Sequence, residues 1–196
     1  DAGSTKANVV AAARAALGER FADFVPGHPI AGSEQSGPGA ARADLYRGKR
    51  VVLTPQADTR ADAVATVRAL WEAAGAQVET LDADLHDRVF AAVSHLPHLA
   101  AFALVDELAQ RTDGDTFFRF AASGFRDFTR IAGSSPEMWR DIALANREAV
   151  LAELDAYLAA LRSLRQAVAG DDAEALLKLF SRARHARENW TKKQDS

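Results

Sequence analysis

The chain has 196 residues, 48% of them hydrophobic, so it is long enough to bury a sizeable core as one large domain or two small ones. Its formal net charge of −3 gives no overall field that would attract nucleic acid or an anionic membrane, although a negatively charged metabolite could still meet a locally basic pocket. The absence of cysteine excludes a disulfide framework, a thiolate zinc site and a cysteine nucleophile, and it suits a reducing cytoplasm.

Residues 1–81 are predicted to alternate helices and strands. Ala-rich helical spacing ended by a glycine predicts a first helix, and short apolar runs rich in β-branched residues predict buried strands. The predicted elements are a helix over 7–17, strands at Phe21–Val25 and Arg50–Leu53, a helix over 59–74 and a strand at Gln77–Leu81. This order is typical of a parallel sheet that is covered by helices.

After about residue 81 the strand-like runs disappear, and helical periodicity predicts an all-α region over 82–196. The predicted helices cover 83–111 with a kink or junction at Pro97, 115–131 with a weak point at Gly124, 135–168 with Ser135 as N-cap, and a last helix capped by Asp171 or Asp172 that runs to about 190. We find no apolar stretch of about 18 residues and therefore expect no membrane span. Dimerisation would bury the apolar faces of these helices, although a monomeric bundle would also do so.

A glycine-rich loop is predicted over 27–48, with five of the chain's twelve glycines and two of its six prolines. Loops of this length inside a compact domain are usually functional or mobile. The loop begins Gly27-His28-Pro29-Ile30-Ala31-Gly32, which places a histidine where a ligand can approach the backbone closely. With an ordinary pKa of ~6.5, an imidazole accepts a proton near neutrality. His28 is therefore a candidate base, and the alternative is a histidine that only serves the turn.

Two further clusters could carry chemistry. Ser94-His95-Leu96-Pro97-His98 places two imidazoles three residues apart, where they either pack in a helix or, together with His86, bind a metal. Asp127 and Arg130 share a helical face, where the aspartate could hold the arginine for a bidentate carboxylate contact, and the alternative is a surface ion pair. The sequence contains no G-x-S-x-G elbow and no G-x-G-x-x-G after a strand, so it cannot by itself be interpreted as a dinucleotide binder.

In chain order, these motifs resemble those of the prephenate dehydrogenase family, which includes arogenate and cyclohexadienyl dehydrogenases. The matching stretches are Asp1 to Lys6, Gly27 to Gly32, Leu53 to Pro55, Ser94 to His98, Gly124 to Ala132 and Met138 to Asp141. The resemblance implies the C-terminal remnant of a Rossmann-like NAD(P)-binding domain over 1–81, followed by an all-helical substrate-binding and dimerisation domain over 82–196. The family's glycine-rich NAD fingerprint lies upstream of this sequence, so we expect a fragment that binds NAD(P) poorly unaided.

The reaction that the resemblance implies is oxidative decarboxylation of prephenate to 4-hydroxyphenylpyruvate, with NAD or NADP as hydride acceptor and a cytoplasmic homodimer as the enzyme. The alternatives are arogenate as the substrate, which gives tyrosine directly, and a helical dimerisation fragment without activity. Tyrosine is a candidate inhibitor, and no nucleic acid, membrane or metal is expected.

The same resemblance assigns expected roles to single residues. His28 accepts the proton of the ring hydroxyl, and Ser4 holds that hydroxyl or orients the imidazole. Arg130 pairs with a substrate carboxylate while Asp127 fixes the guanidinium. The remaining expected positions are Pro29 and Ser4 beside the cofactor, His95 near the substrate side chain and bound tyrosine, Ser33 and Glu34 at the pocket entrance, Gly124 at a close backbone approach, and Trp139 in the wall, from the partner subunit. One departure is Ser123 before Gly124, where the family usually has a second glycine, and it bears on substrate choice.

Overall fold

The computed structural model describes residues 1–32 and 37–194 of the chain. The chain forms two compact units, Asp1–Leu151 and Ala152–Ser196. The strands of the described residues are β1 (Gly27–Pro29), β2 (Arg50–Leu53) and β3 (Gln77–Thr80). The α-helices are α1 (Ala7–Leu17), α2 (Ala61–Ala73), α3 (Ala83–Phe90), α4 (Leu96–Ala109), α5 (Gly114–Phe120), α6 (Ser123–Thr129), α7 (Pro136–Ala145), α8 (Arg147–Ala169) and α9 (Ala173–Gln194).

The sheet of the first unit has the strand order β1-β2-β3. Its centre is β2, which pairs in parallel with β3 and antiparallel with β1. Helix α2 makes the crossover that a parallel pair requires. The register places His28 opposite Val52 and Gly27 opposite Leu53, so the histidine lies on an edge strand beside the end of the central one.

The core of the sheet lies under α2. Val51 and Leu53 on β2 are fully buried, and Val52, which points to the other face, is also buried. Both faces of this central strand are therefore covered, which explains its uninterrupted apolar sequence. The other core residues are Val25 and Ala76, with Tyr46, Ala63, Val64, Val67, Trp71 and Val78 packed against them.

Most of the elements predicted over residues 1–81 are confirmed, and one predicted strand is wrong. The segment Gly18–Asp23 forms a 3-10 helix instead of a strand over 21–25. Gly18 turns the chain at a positive φ of 54° directly after α1. Phe21 lies in the tight turn that follows, where its ring is buried under the guanidinium of Arg14. The edge of the sheet is formed instead by β1, at the start of the predicted loop, and its antiparallel pairing corrects the expected all-parallel sheet.

Helices α3 and α4 are joined by a π-helical turn, Ala91–His95, into one continuous helix over Ala83–Ala109. Pro97 lies in the first turn of α4, directly after the π-helical turn, so the predicted junction at this proline is confirmed.

Two predicted single helices are each divided in the structure. The helix over 115–131 becomes α5 and α6, because the backbone is extended at Ala121 and Ala122, just before Gly124. The helix over 135–168 becomes α7 and α8, with a break at Asn146. Ser135 caps α7 as predicted, since its hydroxyl accepts a hydrogen bond from the N–H of Met138 at 3.2 Å.

The helix over Ala83–Ala109 corrects the expectation that no membrane-length apolar stretch exists. It has 27 residues and a most apolar window of mean hydropathy 1.5, so by length and composition alone it could cross a membrane. Histidine, serine and proline residues lie between its apolar residues, so the sequence contains no uninterrupted apolar run of that length. Only 17% of that window is buried within the chain, and most of its other residues are partly covered.

The second unit consists of the end of α8 and of α9. The turn between these helices includes Asp171 at a positive φ of 50°, and the carboxylate of Asp172 accepts a hydrogen bond from the N–H of Ala175 at 2.9 Å. Asp172 is therefore the N-cap of α9, one of the two residues predicted for it. Large apolar side chains of this unit are exposed, namely Tyr157, Leu158, Leu161, Val168, Leu177, Phe180 and Trp190.

Candidate active site

His28 lies on β1 directly after Gly27, which is in a crowded position. A Cβ added to Gly27 would lie 3.2 Å from a methyl group of Leu53 and 3.3 Å from the carbonyl oxygen of Asp1. No side chain fits in that space without a shift of the neighbours. The glycine lets the first residues of the chain run against β1, and these residues hold the backbone on which His28 is placed.

A partly buried ion pair holds the two peptide groups of Gly27. The ammonium of Lys6 donates a hydrogen bond to the carbonyl oxygen of Gly27 at 2.5 Å and pairs with the carboxylate of Asp1. The other oxygen of Asp1 accepts a hydrogen bond from the N–H of Gly27 at 3.2 Å. Lys6 is fully buried, and burial lowers its pKa to about 8 although the nearby carboxylate of Asp87 acts in the opposite direction. This ion pair therefore fixes both sides of the residue that precedes His28.

His28 belongs to a hydrogen-bonded row of three side chains. Its Nδ1 lies 2.8 Å from Nε2 of His86, and Nδ1 of His86 lies 2.8 Å from Oδ1 of Asp87. His86 is fully buried on α3, and the ring of Phe90, one turn further along, contacts both imidazoles at centroid distances of 4.8 and 4.5 Å. The row ends in a carboxylate and leaves Nε2 of His28 as the nitrogen without a partner among the described residues.

Asp87 also caps helix α1. Its two carboxylate oxygens accept hydrogen bonds from the N–H groups of Lys6 and Ala7, both at 2.8 Å. A negative charge at a helix N-terminus is favourable. Burial acts to raise the pKa of Asp87, but the hydrogen bonds from His86, Ala7 and Lys6 outweigh it and hold the pKa below its usual value. Asp87 is therefore an ionised acceptor that ties α3 to α1.

The break at Asn146 serves the same network. Its side-chain amide donates to the main-chain carbonyl oxygen of Asp87 at 2.8 Å and lies 3.2 Å from Nδ1 of His95. Because the amide nitrogen is a donor, Nδ1 of His95 is the acceptor in this contact. His95 is buried, and burial is the main reason that its pKa is lowered to about 4. The continuous α7–α8 helix that the periodicity predicted is interrupted where this buried amide is needed.

Trp139 lies between two histidines at the far end of the network. His98 stacks on its ring with centroids 3.7 Å apart, and His95 meets it edge-on at 6.0 Å. Nδ1 of His98 donates to the carbonyl oxygen of Ser94 at 2.9 Å. The indole N–H of Trp139 is buried and has no hydrogen-bond partner in the part of the chain that the structure describes. This donor is available to a bound molecule.

The electrostatics keep His28 uncharged near neutrality. Burial lowers its pKa to about 3, and the charges of His86 and Lys6 act in the same direction. A neutral imidazole can accept a hydrogen bond or a proton through the ring nitrogen that carries no hydrogen. A ligand that brings negative charge would raise this low pKa, because the charge stabilises the protonated ring, and would so make the imidazole a stronger base.

The predicted site residues fall into three groups. His28, His95 and Trp139 are connected through the network, with Pro29 next to His28 and half-buried Ser4 on the segment that clasps Gly27. Gly124, Asp127 and Arg130 are exposed, on α6 and on the 3-10 turn that follows it and packs against α4. Ser33 and Glu34 lie outside the described residues.

The expected pairing of Asp127 with Arg130 stays a prediction. The carboxylate of Asp127 lies 3.7 Å from the guanidinium of its neighbour Arg126, and both side chains are largely exposed. A Cβ added to Gly124 would meet no described atom within 4 Å beyond its own stretch of helix, so packing against other elements does not require a glycine there. Within residues 1–32 and 37–194, no group of three or more His, Asp or Glu side chains could hold a metal ion, and both ring nitrogens of His86 are engaged by other residues.

Five residues of the network were not found from the sequence: Asp1, Lys6, Asp87 and Asn146, with His86 considered only as a metal ligand. A signal for His86 and Asp87 existed. Both precede Phe90 by one helical turn, and polar residues that share a helical face with an aromatic ring indicate a buried polar contact. Nothing in the local pattern links Lys6 to Gly27, since that contact spans 21 positions.

Comparison with protein-family models identifies the two halves of the chain. Residues 1–80 match the model described as prephenate dehydrogenase, nucleotide-binding domain, and residues 82–182 match prephenate dehydrogenase, dimerization domain. The chain belongs to the prephenate dehydrogenase family. Its fold is the remnant of a Rossmann-like nucleotide-binding domain followed by the helical domain of this family, as the resemblance implied.

Individual members of the prephenate dehydrogenase family agree with this assignment. The cyclohexadienyl dehydrogenase of Zymomonas mobilis and the prephenate dehydrogenase of Bacillus subtilis are each 39% identical to the chain over 189 residues, which is 95% and 96% of the chain. The alignments cover 64% and 51% of those two relatives, so the chain spans about half to two thirds of their length.

Two solved structures of the family have the same fold. The crystal structure of prephenate dehydrogenase from A. aeolicus in complex with hydroxyphenyl propionate and NAD+ has a TM-score of 0.88 and 41% identity, and it covers 96% of this chain and 65% of that one. The arogenate dehydrogenase of Synechocystis has a TM-score of 0.77 and 29% identity, and it covers 97% of this chain and 68% of that one.

The described residues do not fit the pyrophosphate of a dinucleotide. That group binds where a glycine-rich turn leads into a helix N-terminus. The first N–H groups of α1 are already bonded to Asp87, and α2 follows Arg60 without a glycine. The sequence also lacks the G-x-G-x-x-G pattern. We therefore assign none of the described residues to the phosphates.

Proposed function

We propose that the chain carries the substrate-binding and acid–base part of an NAD(P)-dependent dehydrogenase that converts prephenate to 4-hydroxyphenylpyruvate and carbon dioxide. The observation that carries the proposal is the neutral imidazole of His28, which is held through Nδ1 while its Nε2 has no partner among the described residues. The names of the relatives, and the hydroxyphenyl propionate and NAD+ in the A. aeolicus structure, support the choice of reaction.

In this reaction His28 is the base for the ring hydroxyl. The nicotinamide of NAD(P)+ supplies the acceptor for the hydride that leaves the carbon bearing that hydroxyl. Nε2 of His28 takes the hydroxyl proton, and loss of the ring carboxylate as carbon dioxide leaves its electron pair in the ring. The oxygen becomes a phenolate, which takes the proton back from His28. No net proton is released, and the negative charge of prephenate raises the pKa of His28 while the substrate is bound.

We assign the substrate carboxylates to the helical region. Arg130 binds one of them, with Asp127 holding the guanidinium, and an exposed arginine becomes effective in this role once the ligand or a partner subunit excludes water. The indole N–H of Trp139 supplies a further donor, and His95 lies beside it. The remaining assignments are Ser4 to the ring hydroxyl, Gly124 to the close backbone approach, Ser33 and Glu34 to the entrance, and Pro29 with Ser4 to the nicotinamide side.

The division of the chain into 1–81 and 82–196 remains part of the proposal. It is supported by the two family models, which match on either side of residue 81. The contacts of Asp87 and Asn146 join the beginning of the helical region to α1, which explains why the compact unit of the structure continues to Leu151.

We propose prephenate rather than arogenate as the main substrate, and we keep arogenate as the second candidate because an arogenate dehydrogenase is among the similar structures. The two substrates differ by an amine in place of the side-chain keto group. An assay of the intact protein with each substrate, and with NAD+ and NADP+ in turn, tests the assignment. Turnover of prephenate with release of carbon dioxide is expected, and activity with neither substrate would refute the function.

The chain by itself is expected to bind the dinucleotide weakly. Calorimetric titration of this chain with NAD+ should give a dissociation constant well above micromolar, because the pyrophosphate has no glycine-rich turn to bind. Binding at micromolar concentration would contradict this. We place the enzyme in the cytoplasm, a compartment that suits a chain without cysteine, and we keep tyrosine as a candidate inhibitor.

We further propose that the chain forms a homodimer through its helices. Only 17% of the apolar window of the helix over Ala83–Ala109 is buried within the chain, and the buried His86, Asp87 and His95 bond to protein groups, which favours a protein partner over a membrane. Light scattering should give a mass near twice the 21.0 kDa of one chain. Leu161→Glu, at an exposed apolar position of α8, should weaken the dimer, while Ser163→Glu on the same helix should not. A monomeric parent chain would contradict the proposal.

A further inference from the structure

We propose that His86 and Asp87 are positioning residues that fix the hydrogen of His28 on Nδ1 and so reserve its Nε2 as the acceptor. Its kinetic consequence rests on the function proposed above, but the position of the hydrogen is a property of the chain alone. Both residues are on α3, at a distance in sequence of nearly sixty positions from His28.

The direction of the hydrogen bonds starts at the carboxylate. Asp87 already accepts from the N–H groups of Lys6 and Ala7, and as an ionised group it has no hydrogen to donate. Nδ1 of His86 must therefore carry the hydrogen of the 2.8 Å contact with Asp87. A neutral imidazole has one N–H, so Nε2 of His86 is an acceptor.

The same reasoning extends one residue further. Because Nε2 of His86 accepts, the hydrogen of its 2.8 Å contact with His28 belongs to Nδ1 of His28. Nε2 of His28 then has a lone pair and no hydrogen. This is the nitrogen that has no partner among the described residues, so the row delivers an acceptor at its open end.

The reverse direction is disfavoured by the environment. It would require a lone pair on Nδ1 of His86 facing the carboxylate of Asp87, with no hydrogen between two acceptors 2.8 Å apart. It would also give His28 a hydrogen on Nε2, and that nitrogen could then not accept the hydroxyl proton of a substrate. Protonation of His86 would have the same effect, because its Nε2 would then donate to His28.

The row is also mechanically fixed at its base. The carboxylate of Asp87 holds the start of α1, and its main-chain carbonyl oxygen accepts from the buried amide of Asn146. Phe90 packs against both imidazole rings. His86 thus has little freedom to turn away from His28, which distinguishes it from a histidine that only fills space.

The position of the hydrogen can be measured without any catalysis. Long-range 1H–15N correlation spectra of the chain labelled with 15N-histidine report which ring nitrogen carries the hydrogen, and the His28 signals are assigned by their absence in His28→Asn. We expect His28 to be neutral with its hydrogen on Nδ1 at pH 7. A hydrogen on Nε2 of His28 in the unsubstituted chain overturns the proposal, whatever the enzyme's substrate is.

Two substitutions of His86 separate positioning from packing. His86→Gln keeps a side-chain oxygen that can accept from Nδ1 of His28, whereas His86→Leu fills the space without an acceptor. In the intact protein with prephenate, we expect the leucine variant to lose about 10²-fold in kcat with a small change in KM, and the glutamine variant to recover most of that loss. The control is His185→Gln on exposed α9, which should change nothing.

The kinetic outcomes are also decisive. An unchanged kcat in His86→Leu, or an equal loss in both variants, would overturn the positioning role, since only the glutamine restores the acceptor. If the unsubstituted intact protein turns over neither prephenate nor arogenate, the proposed function fails, and the spectra of the chain still decide where His28 holds its hydrogen.

Discussion

The histidine network differs in burial and in hydrogen bonding from residues 124–130, which hold Gly124, Asp127 and Arg130 and are called the arginine segment. In the network, which runs from His28 through His86 and Asp87 to His95, the polar groups are largely buried and bonded to one another at fixed distances. In the arginine segment, by contrast, Asp127 and Arg126 are largely exposed, and the carboxylate of Asp127 lies 3.7 Å from the guanidinium of Arg126. Buried hydrogen-bonded groups are costly to disturb, whereas exposed ion pairs contribute little until water is removed.

This difference indicates how the two parts act in catalysis. The network is already in place within one chain, so it can orient a base before any ligand binds. The arginine segment acquires its strength only when a charged ligand or a partner chain desolvates it. Substitutions in the first region should therefore affect turnover and stability, and those in the second should affect mainly the binding of substrate.

The largest effect is expected at the open end of the network. His28→Asn in the intact protein should lower kcat for prephenate at least about 10²-fold, because the substituted side chain has no basic nitrogen, while KM changes less. Steady-state assays over a range of prephenate concentrations measure both quantities. His185→Asn on exposed α9 is the control. Near-normal turnover of the His28 variant would remove this residue from the mechanism.

The second effect compares two aspartates for their contribution to stability. Asp87→Ala removes the cap of α1 and the partner of His86 together, so the free energy of unfolding should fall by about 3 kcal/mol. Asp127→Ala removes an exposed ion pair with Arg126 and should change it by less than about 0.5 kcal/mol. Urea unfolding of the chain followed by circular dichroism measures both. Equal losses would contradict the contrast between the two regions.

The third effect is the response of stability to acid. Burial lowers the pKa of His28 to about 3 and of His95 to about 4, below the ordinary value of ~6.5 that both have in the unfolded chain. Between these values the unfolded chain binds more protons, so the free energy of unfolding falls as the pH falls from about 6.5 toward 4. The pKa of Asp87 is also lowered, but the stability it contributes is lost only below ~3.9, outside this range.

We expect a loss of about 2 kcal/mol between pH 7 and pH 4.5, a value reduced for the partial exposure of His28. Urea titrations at several pH values give the slope of the free energy of unfolding against pH. His95→Gln should reduce this slope, because glutamine does not titrate. Stability that is constant or higher at pH 4.5 would show that neither histidine is kept neutral by the fold.

Local patterns were sufficient for the helices and strands whose signals lie within a few residues. The Ala-rich run of α1 and the β-branched run of β2 are of this kind, and Ser135 was identified as a cap because a cap acts on its own helix. The wrong strand over 21–25 had a suitable composition, but Gly18 turns the chain before that segment can reach the sheet.

The candidate site shows more clearly that local patterns do not reveal contacts between residues far apart in the sequence. His28 was found because the glycines around it make it conspicuous in the sequence. Lys6, Asp87 and Asn146 were missed because their contacts join residues that are between 21 and 81 positions apart. The break at Asn146 follows from such a contact too, and helical periodicity takes no account of it.

The smallest effect tests the arginine segment itself. Arg130→Ala should raise KM for prephenate about tenfold and leave kcat nearly unchanged, because a carboxylate contact that is equal in the ground state and the transition state contributes to binding alone. Higher salt should weaken prephenate binding by the parent protein more than by the variant, since exposed charges are screened. Arg20→Ala, an exposed arginine after α1, is the control. An unchanged KM would remove the carboxylate role from Arg130. A fall in kcat as large as that of His28→Asn would mean that the arginine acts on the reacting atoms. The separation of turnover from substrate binding between the two regions would then be wrong.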